Sequence, residues 1–321
     1  MLRMKKIIVA VIAVGAALIA GAKEKVVFDT DIGGDVDDAL ALAYFAKSPD
    51  CELMGVTIEA WGGNGPRQAE IASAICREYG RGKVPIAIGP GFGHLLGARW
   101  DRKPKANPRY WPIVEKYPHE TFAPRNDAVE FLRRTINEHP GEIVIVATGH
   151  YTNLGVLFQL DPDIPAKLKR LVLMGARYDS SEWNVCQDPI ATGMVFGNAD
   201  NLRPPETWIV IGNTTFPYHF KQDKARAFFA EKPSMKICAE AAEYWLENGK
   251  RDLYFHDPIA AVIALKPELA EWKTGTVTVS LEKGKSGFVH LDEKPEWRHA
   301  PLKITTKIDF NGFLAEFQKV F

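Results

Sequence analysis

Val26-Val27-Phe28-Asp29-Thr30-Asp31-Ile32-Gly33-Gly34-Asp35-Val36-Asp37-Asp38 joins a short apolar run to a dense acidic turn, and a helical pattern follows from about Asp37 to Lys47. The apolar run is continuous rather than alternating, which is the pattern of a strand buried on both faces. Between strand and helix, five carboxylates stand within ten residues. Ligands of open α/β sheets bind beyond the carboxyl ends of the strands, so this turn is the favoured place for a site. Carboxylates gathered there repel one another unless a cation compensates them. Hard oxygen donors select calcium or magnesium over zinc or copper.

Three other readings of the segment compete. A solvated acidic turn could simply cap the helix, with Asp37 near its N-terminus, but Gly33-Gly34 points to a tight backbone path around something. A calcium loop of the EF-hand kind needs a bidentate Glu at its twelfth position, where counting from Asp29 gives Leu40. A magnesium-dependent phosphatase would use Asp29 as nucleophile and Asp31 as acid, with Gly33 where such enzymes prefer a hydroxyl residue.

Outward from this turn, strand and helix patterns alternate. Leu53 to Thr57, Pro85 to Ile88, Ile143 to Ala147, Leu171 to Met174 and Trp208 to Ile211 read as strands. Helical patterns cover Arg67 to Tyr79, Asp127 to His139 and Ile190 to Phe196. Such alternation implies a mostly parallel, twisted sheet flanked by helices. Helices follow at Met235 to Asn248 and Pro258 to Leu265. Thr276 to Leu281, Gly287 to Leu291 and Leu302 to Thr306 then read as a small C-terminal antiparallel meander, closed by a helix from Phe310 to Phe321. With no linker or repeat, residues 23–321 are expected to form one catalytic domain.

The first 22 residues stand apart. Arg3, Lys5 and Lys6 precede an apolar run from Ile7 to Ile19, and Ala20-Gly21-Ala22 is a small-residue cleavage site. This is a signal peptide pattern, too short for a spanning helix. It predicts an exported chain, periplasmic or secreted, with no membrane attachment after cleavage. The full chain has 40 basic and 40 acidic side chains. Without residues 1–22 the count is 37 against 40, a net of −3. That balance argues against a nucleic-acid partner, which would be met by a basic patch. The cysteines, Cys51, Cys76, Cys186 and Cys238, match no zinc spacing. An oxidising compartment would permit a disulfide, but the spacing selects no pairing.

The chain resembles the inosine-uridine nucleoside hydrolase family. Its signature, an Asp-x-Asp-x-Gly strand end followed by an Asp-Asp pair opening a helix, is similar to Asp29, Asp31, Gly33, Asp37 and Asp38 here. Further segments agree in order: Val56 to Asn64 ending in Gly-Gly-Asn, the turn Thr148-Gly149-His150-Tyr151-Thr152-Asn153-Leu154, Met174-Gly175, Glu182-Trp183-Asn184 with Asp188-Pro189, and His256-Asp257-Pro258. The resemblance spans nearly all of residues 25–321 and implies a nucleoside hydrolase fold with a Rossmann-like core. It implies that Asp31, Asp38, Asp257 and the main-chain carbonyl of Thr152 hold one Ca²⁺. Asp37, Asn64, Glu182 and Asn184 would bind the ribose hydroxyls, Met174 would line the sugar pocket, and His256 would sit near the leaving base. It also suggests a homo-oligomer.

Three departures from the family pattern are visible. Two extra residues lie between Gly33 and the acidic pair, which makes Asp35 an alternative to Asp37; Asp37 abuts the helix and is preferred. The stretch from Met174 to Glu182 is short and lacks an Asn for the 5′-hydroxyl, leaving Asp179 as the stand-in. His150 and Tyr151 replace Pro-Leu, and Trp183 replaces Phe.

These residues suit calcium-dependent hydrolysis of a ribonucleoside, releasing ribose and free base. Cleavage of an N-glycosidic bond passes through an oxocarbenium-like sugar and needs an activated water and help for the departing base. Asp31 is the expected general base. His256 is the expected proton donor, because histidine titrates near neutrality; the alternative is that it only orients Asp257. Trp61 and Trp183 adjoin motif residues and are candidates to stack on a base, as is His94 with less support. Tyr218, His219 and Tyr254 flank a segment expected to close over the base. Cys186 is expected to pack as a small apolar residue. The competing function from another class is a periplasmic nucleoside- or sugar-binding protein without catalysis, against which the retention of Asp31 and His256 argues.

Overall fold

The computed structural model describes residues 22–60, 64–90, 111–178, 180–196, 206–249, 251–282, 285, 287–292 and 302–321. In chain order the strands are β1 (Glu24–Thr30), β2 (Cys51–Ile58), β3 (Ile86–Ile88), β4 (Ile143–Ala147), β5 (Arg170–Gly175), β6 (Glu206–Ile211), β7 (His219–Phe220), β8 (Leu253–Tyr254), β9 (Ala270–Val279), β10 (Val289–Asp292) and β11 (Leu302–Ile308). The helices are α1 (Asp37–Lys47), α2 (Gly65–Glu78), α3 (Ala128–Glu138), α4 (Thr152–Leu160), α5 (Trp183–Gln187), α6 (Pro189–Phe196), α7 (Gly212–Thr215), α8 (Gln222–Ala230), α9 (Lys236–Gly249), α10 (His256–Leu265) and α11 (Phe310–Lys319).

One sheet in the order β10-β9-β11-β6-β5-β4-β1-β2-β3 forms the centre, beside a separate β7-β8 pair. From β6 to β3 every pairing is parallel. The C-terminal strands pair antiparallel, as expected, but not as a consecutive meander: β9 lies between β10 and β11. β11 also pairs in parallel with β6, so this edge continues the main sheet.

Side chains on the central strands alternate between two cores. Val26 and Phe28 of β1, Val144 and Val146 of β4, and Val172 and Met174 of β5 face the core built with α1, α2, α9, α10 and α11. Val27, Ile143, Ile145, Leu171 and Leu173 face the other core, built with α3 and α4. A continuous apolar run is thus a period-two pattern buried on both sides. Helix α3 buries Ala128, Phe131, Leu132, Thr135 and Ile136, one face of a 3.6-residue period. Helix α1 is buried from Asp37 to Ala46, because it is covered by its neighbours as well as by the sheet.

The topology creates one crevice. From β1 the chain steps outward through β2 and β3, then returns to place β4 on the other side of β1. The connections after β1 and β4 therefore part at the carboxyl edge, which is the topological switch point. The Thr148 amide donates to the Asp29 carbonyl at 2.8 Å and ties the two connections together. All four cysteines are buried, unbridged thiols; burial pushes those of Cys51, Cys76 and Cys238 up to about 12.

Helix α4, which opens with Thr152 and Asn153, is seated by close contact with α6. A Cβ placed on Gly155 would stand 2.7 Å from the Ala191 Cβ and 2.8 Å from its Cα. A better helix former would gain roughly 1 kcal/mol of propensity there, but overpacking costs about 1–3 kcal/mol. Gly155→Val should therefore lower Tm by about 5 °C, measured by scanning calorimetry; an unchanged or raised Tm would show that the α4–α6 contact yields freely.

Candidate active site

Asp31 follows β1, and Asp37 and Asp38 open α1 after a turn in which Gly33 takes a φ of 104°. Asp257 lies in the first turn of α10, which packs against α1. Asp31, Asp37, Asp38 and Asp257 are 8%, 5%, 3% and 5% exposed, so water does little to sustain their charges. Carboxylate oxygens of Asp37, Asp38 and Asp257 lie within 4.8 Å of one another. The Asp257 amide donates to Asp37 Oδ2 at 3.3 Å. Asp38 Oδ1 accepts from the hydroxyls of Thr30 and, at 3.2 Å, Thr148. The positive ends of two helix dipoles meet the same cluster. Asp35 is exposed, and Asp37 is the residue that stands beside Asp38 and Asp257.

Burial and mutual repulsion dominate the electrostatics. Burial, then the charge of Asp35, pushes Asp31 up to about 7. The same two causes push Asp37 up to about 8. Burial and then neighbouring carboxylates also raise Asp38 and Asp257 well above the ordinary carboxylate range. The contact between these two side chains lowers Asp38 and raises Asp257. An all-oxygen cluster that takes up protons to relieve repulsion fits a hard divalent cation, which would relieve it more fully.

The expected sugar wall is built from β5 and α5. Glu182 is the N-cap of α5, and its carboxylate accepts from the amides of Asn184 at 3.0 Å, Val185 at 3.2 Å and Ala176 at 3.1 Å. Asn184 Nδ2 donates to the carbonyls of Thr148 at 2.8 Å and Met174 at 2.9 Å, with the Met174 sulfur at 3.7 Å. The charge of Glu182 reaches Asp31, and a hydrogen bond from Trp183 lowers Asp31. Trp183 is 49% exposed, an open ring beside the cluster. Asn64, half-buried, immediately precedes α2 beyond the end of β2. Trp61, His94 and Asp179 lie outside the described residues.

On the other side, aromatic rings surround His256. Its ring lies parallel to Tyr254, 5.2 Å between centroids with a 5° interplanar angle, and 6.1 Å from the half-exposed Phe216. His219 packs 4.9 Å from Tyr254, and the Arg177 guanidinium lies 4.9 Å over Phe216. Burial first, then Arg177, pushes His256 down to about 4. The expectation that it titrates near neutrality is therefore corrected: its imidazole is neutral at pH 7. Its Nδ1 is 2.7 Å from Thr215 Oγ1. Tyr218 stands apart from this stack, with its hydroxyl on the Ile308 carbonyl and its ring on Phe310.

Behind the cluster lies a polar layer. Asp29 is fully buried, with Oδ1 accepting from Thr57 at 2.5 Å and Asn153 at 2.8 Å, which is no place for a phosphatase nucleophile. Glu59 and His150 pair at 3.2 Å, both buried. The Thr152 hydroxyl donates to Asp188 at 2.8 Å. A buried Glu directly after a strand of apolar residues is the one signal that marks Glu59 in the sequence. Cys186 is buried, as expected, with its thiol 3.4 Å from the Trp183 carbonyl.

Carboxylates converging at the switch point of a parallel sheet define the class: an α/β protein with an oxygen-lined cluster that could hold a cation. Residues 26–315 match the family described as inosine-uridine preferring nucleoside hydrolase, and the chain belongs to it. It is thus one of the metal-dependent N-glycosyl hydrolases. It is similar to uridine nucleosidase 1 of Arabidopsis thaliana, at 24% identity over 92% of each chain. The pyrimidine-specific ribonucleoside hydrolase of Citrobacter koseri is 28% identical over 76% of this chain and 80% of its own. Among solved structures, a plant nucleoside hydrolase superposes with a TM-score of 0.77 at 22% identity, covering 92% of this chain and 98% of its own. The inosine-uridine preferring nucleoside hydrolase of Bacillus anthracis gives 0.76 at 20% identity with the same coverage.

The raised carboxylates make stability pH-dependent. Asp31 and Asp37, raised to about 7 and about 8 from 3.8, keep protons in the folded chain that the unfolded chain has lost. The stability this gives at low pH disappears as pH rises through those values. His256, lowered from 6.5, acts only below that pH. In chelator, Tm should fall by about 5 °C or more between pH 6.5 and 8.5, and excess calcium should abolish the fall. A chelator Tm that is flat or rises over that window would contradict the electrostatics of the cluster.

Proposed function

We propose that this chain hydrolyses the N-glycosidic bond of ribonucleosides with one Ca²⁺ held by Asp31, Asp38, Asp257 and the Thr152 carbonyl. The observation that carries the reading is the convergence of Asp37, Asp38 and Asp257 from two helix N-termini; Asp31 stands outside that trio, its charge reaching Asp38 and Asp257. When bound, the ion would supply a grip on vicinal hydroxyls and positive charge that eases deprotonation of water.

The chain's own residues do the rest. Asp31, raised to about 7 by burial and then by the charge of Asp35, becomes the proton acceptor for the attacking water. Its bond from Trp183 orients the carboxylate. Asp37, Asn64, Glu182 and Asn184 take the ribose hydroxyls, and Met174 lines the sugar. Three backbone amides fix the Glu182 carboxylate before substrate arrives, which favours a preorganised grip. Buried carboxylates beneath the sugar stabilise the positive charge that develops on it. In the tautomer in which Thr215 donates to Nδ1, neutral His256 carries its proton on Nε2, where it can be shared with the departing base. Trp183 and the ring stack around His256 offer the base an aromatic boundary. We propose further that residues 1–22 direct export and are removed.

A nucleoside panel tests the reading. Inosine, uridine, cytidine and guanosine, incubated with calcium or with chelator, should release reducing sugar only with calcium. Asp31→Asn should cut turnover by roughly three orders of magnitude or more with little loss of substrate binding, since the amide retains one ligand oxygen but cannot accept a proton. Binding without release in the wild type would favour the binding-protein reading, and near-normal turnover in the variant would remove Asp31 as base.

His256→Ala separates leaving-group help from metal positioning. Natural bases leave poorly without a hydrogen-bond donor, whereas nitrophenolate needs little help. The variant should lose about 100-fold or more on uridine or inosine and less than about tenfold on p-nitrophenyl riboside. Equal losses on both substrates would assign His256 to positioning Asp257.

A further inference from the structure

The connection after β4 carries the two residues that depart from the family's Pro-Leu, and both are buried. His150 Nδ1 lies 3.2 Å from Glu59 Oε2 and 2.9 Å from Thr152 Oγ1. The Thr152 hydroxyl gives its own proton to Asp188 Oδ2 at 2.8 Å, so the proton in the His150–Thr152 contact comes from Nδ1–H. Asp188 is itself anchored, with Oδ1 accepting from the Ala191 amide at 3.0 Å. Glu59 Oε1 accepts from the Asn153 amide at 2.8 Å. Glu59 therefore holds Asn153 through Oε1 and stands against the His150 ring through Oε2, while the His150 Nδ1–H is given to Thr152. Proline offers no side-chain donor for that bond to Thr152.

Tyr151 turns the opposite way. It is fully buried at a φ of 60°, a left-handed backbone that a residue with a Cβ keeps only when its surroundings fix it. Its hydroxyl donates to the Met174 carbonyl at 2.5 Å, the same oxygen that accepts from Asn184 Nδ2 at 2.9 Å. A Cβ on Gly175 would strike the Tyr151 hydroxyl, with Glu182 Oε2 only 2.9 Å away. The hydroxyl is thus wedged beneath the Glu182–Asn184 pair. Leucine could fill the space but could not bind the carbonyl.

We propose that His150 and Tyr151 form a brace that positions the two halves of the site, His150 through Thr152 on the cation side and Tyr151 through Met174 on the ribose side. The inference rests on the ribose and calcium assignments proposed above. Both are positioning residues, and their consequences separate. Whole protein would be titrated calorimetrically with calcium, and then with D-ribose at saturating calcium. His150→Leu should weaken calcium binding by about tenfold, the lower range for loss of a group that orients a ligand, and leave ribose affinity within twofold. His150→Asn, which restores an N–H donor, should recover most of the calcium affinity. Tyr151→Phe, a change small enough to preserve the fold, should weaken ribose binding by about tenfold and leave calcium binding within twofold.

A general loosening of the fold would lower both affinities together, so parallel losses in either variant overturn the brace. Unchanged calcium binding in His150→Leu, or unchanged ribose binding in Tyr151→Phe, also overturns it. Base release by the wild type is read separately. Intact calcium and ribose binding without release would sink the hydrolase reading and leave the brace standing, while a wild type that binds neither ligand overturns both.

Discussion

Asp31, Asp37, Asp38 and Asp257 share a crevice where all four are nearly excluded from water. Like charges in such a place cannot all persist, and their repulsion sets the terms for everything around them. It raises Asp38 and Asp257 well above the ordinary carboxylate range, on top of the effect of burial. The ends of α1 and α10, aimed at the cluster, and the hydroxyls of Thr30 and Thr148 relieve it. The parallel sheet makes this concentration possible, because only at its switch point do the connections part widely enough to admit two helix termini.

Polarity is divided across the site. The wall formed by Glu182, Asn184 and the Met174 carbonyl is a lattice of fixed hydrogen bonds, suited to a hydroxylated ligand. The wall around His256 is a stack of rings in which a histidine is kept uncharged. A ligand with a polar sugar at one end and a flat heterocycle at the other matches that division, and a phosphate ester does not. Full burial of Asp29 counts against the phosphatase reading independently, since no substrate can reach its carboxylate.

The strand-turn-helix from Val26 to Lys47 was legible because local periods and clustered charge both report on neighbours in sequence. Strands such as Ile143–Ala147 were read to the residue for the same reason. The partners of β11 were not, since apolar alternation says which face of a strand is buried and not which strand lies beside it. The lowered proton affinity of His256 was hidden in the same way: Arg177 and the rings that desolvate it come from other parts of the chain. Tyr218, close in sequence to His219, faces Phe310 instead, because neighbours along a chain can point to opposite sides of it. The Glu59–His150 pair is 91 positions apart and follows from the crossing of two connections, which no motif encodes.

Asp37 and the Asp257 amide that touches it are separated by 220 positions. That contact closes most of the chain into a single loop, and loop closure of this kind carries an entropic cost that must be met before any local gain. β1, α1 and β2 are neighbours in sequence, whereas α10 comes to α1 from far along the chain. A cation held by Asp37, Asp38 and Asp257 would therefore join segments that lie far apart in the sequence. An ion that binds there acts as a latch on the completed topology, lengthening the life of the folded chain by resisting the separation of α1 from α10.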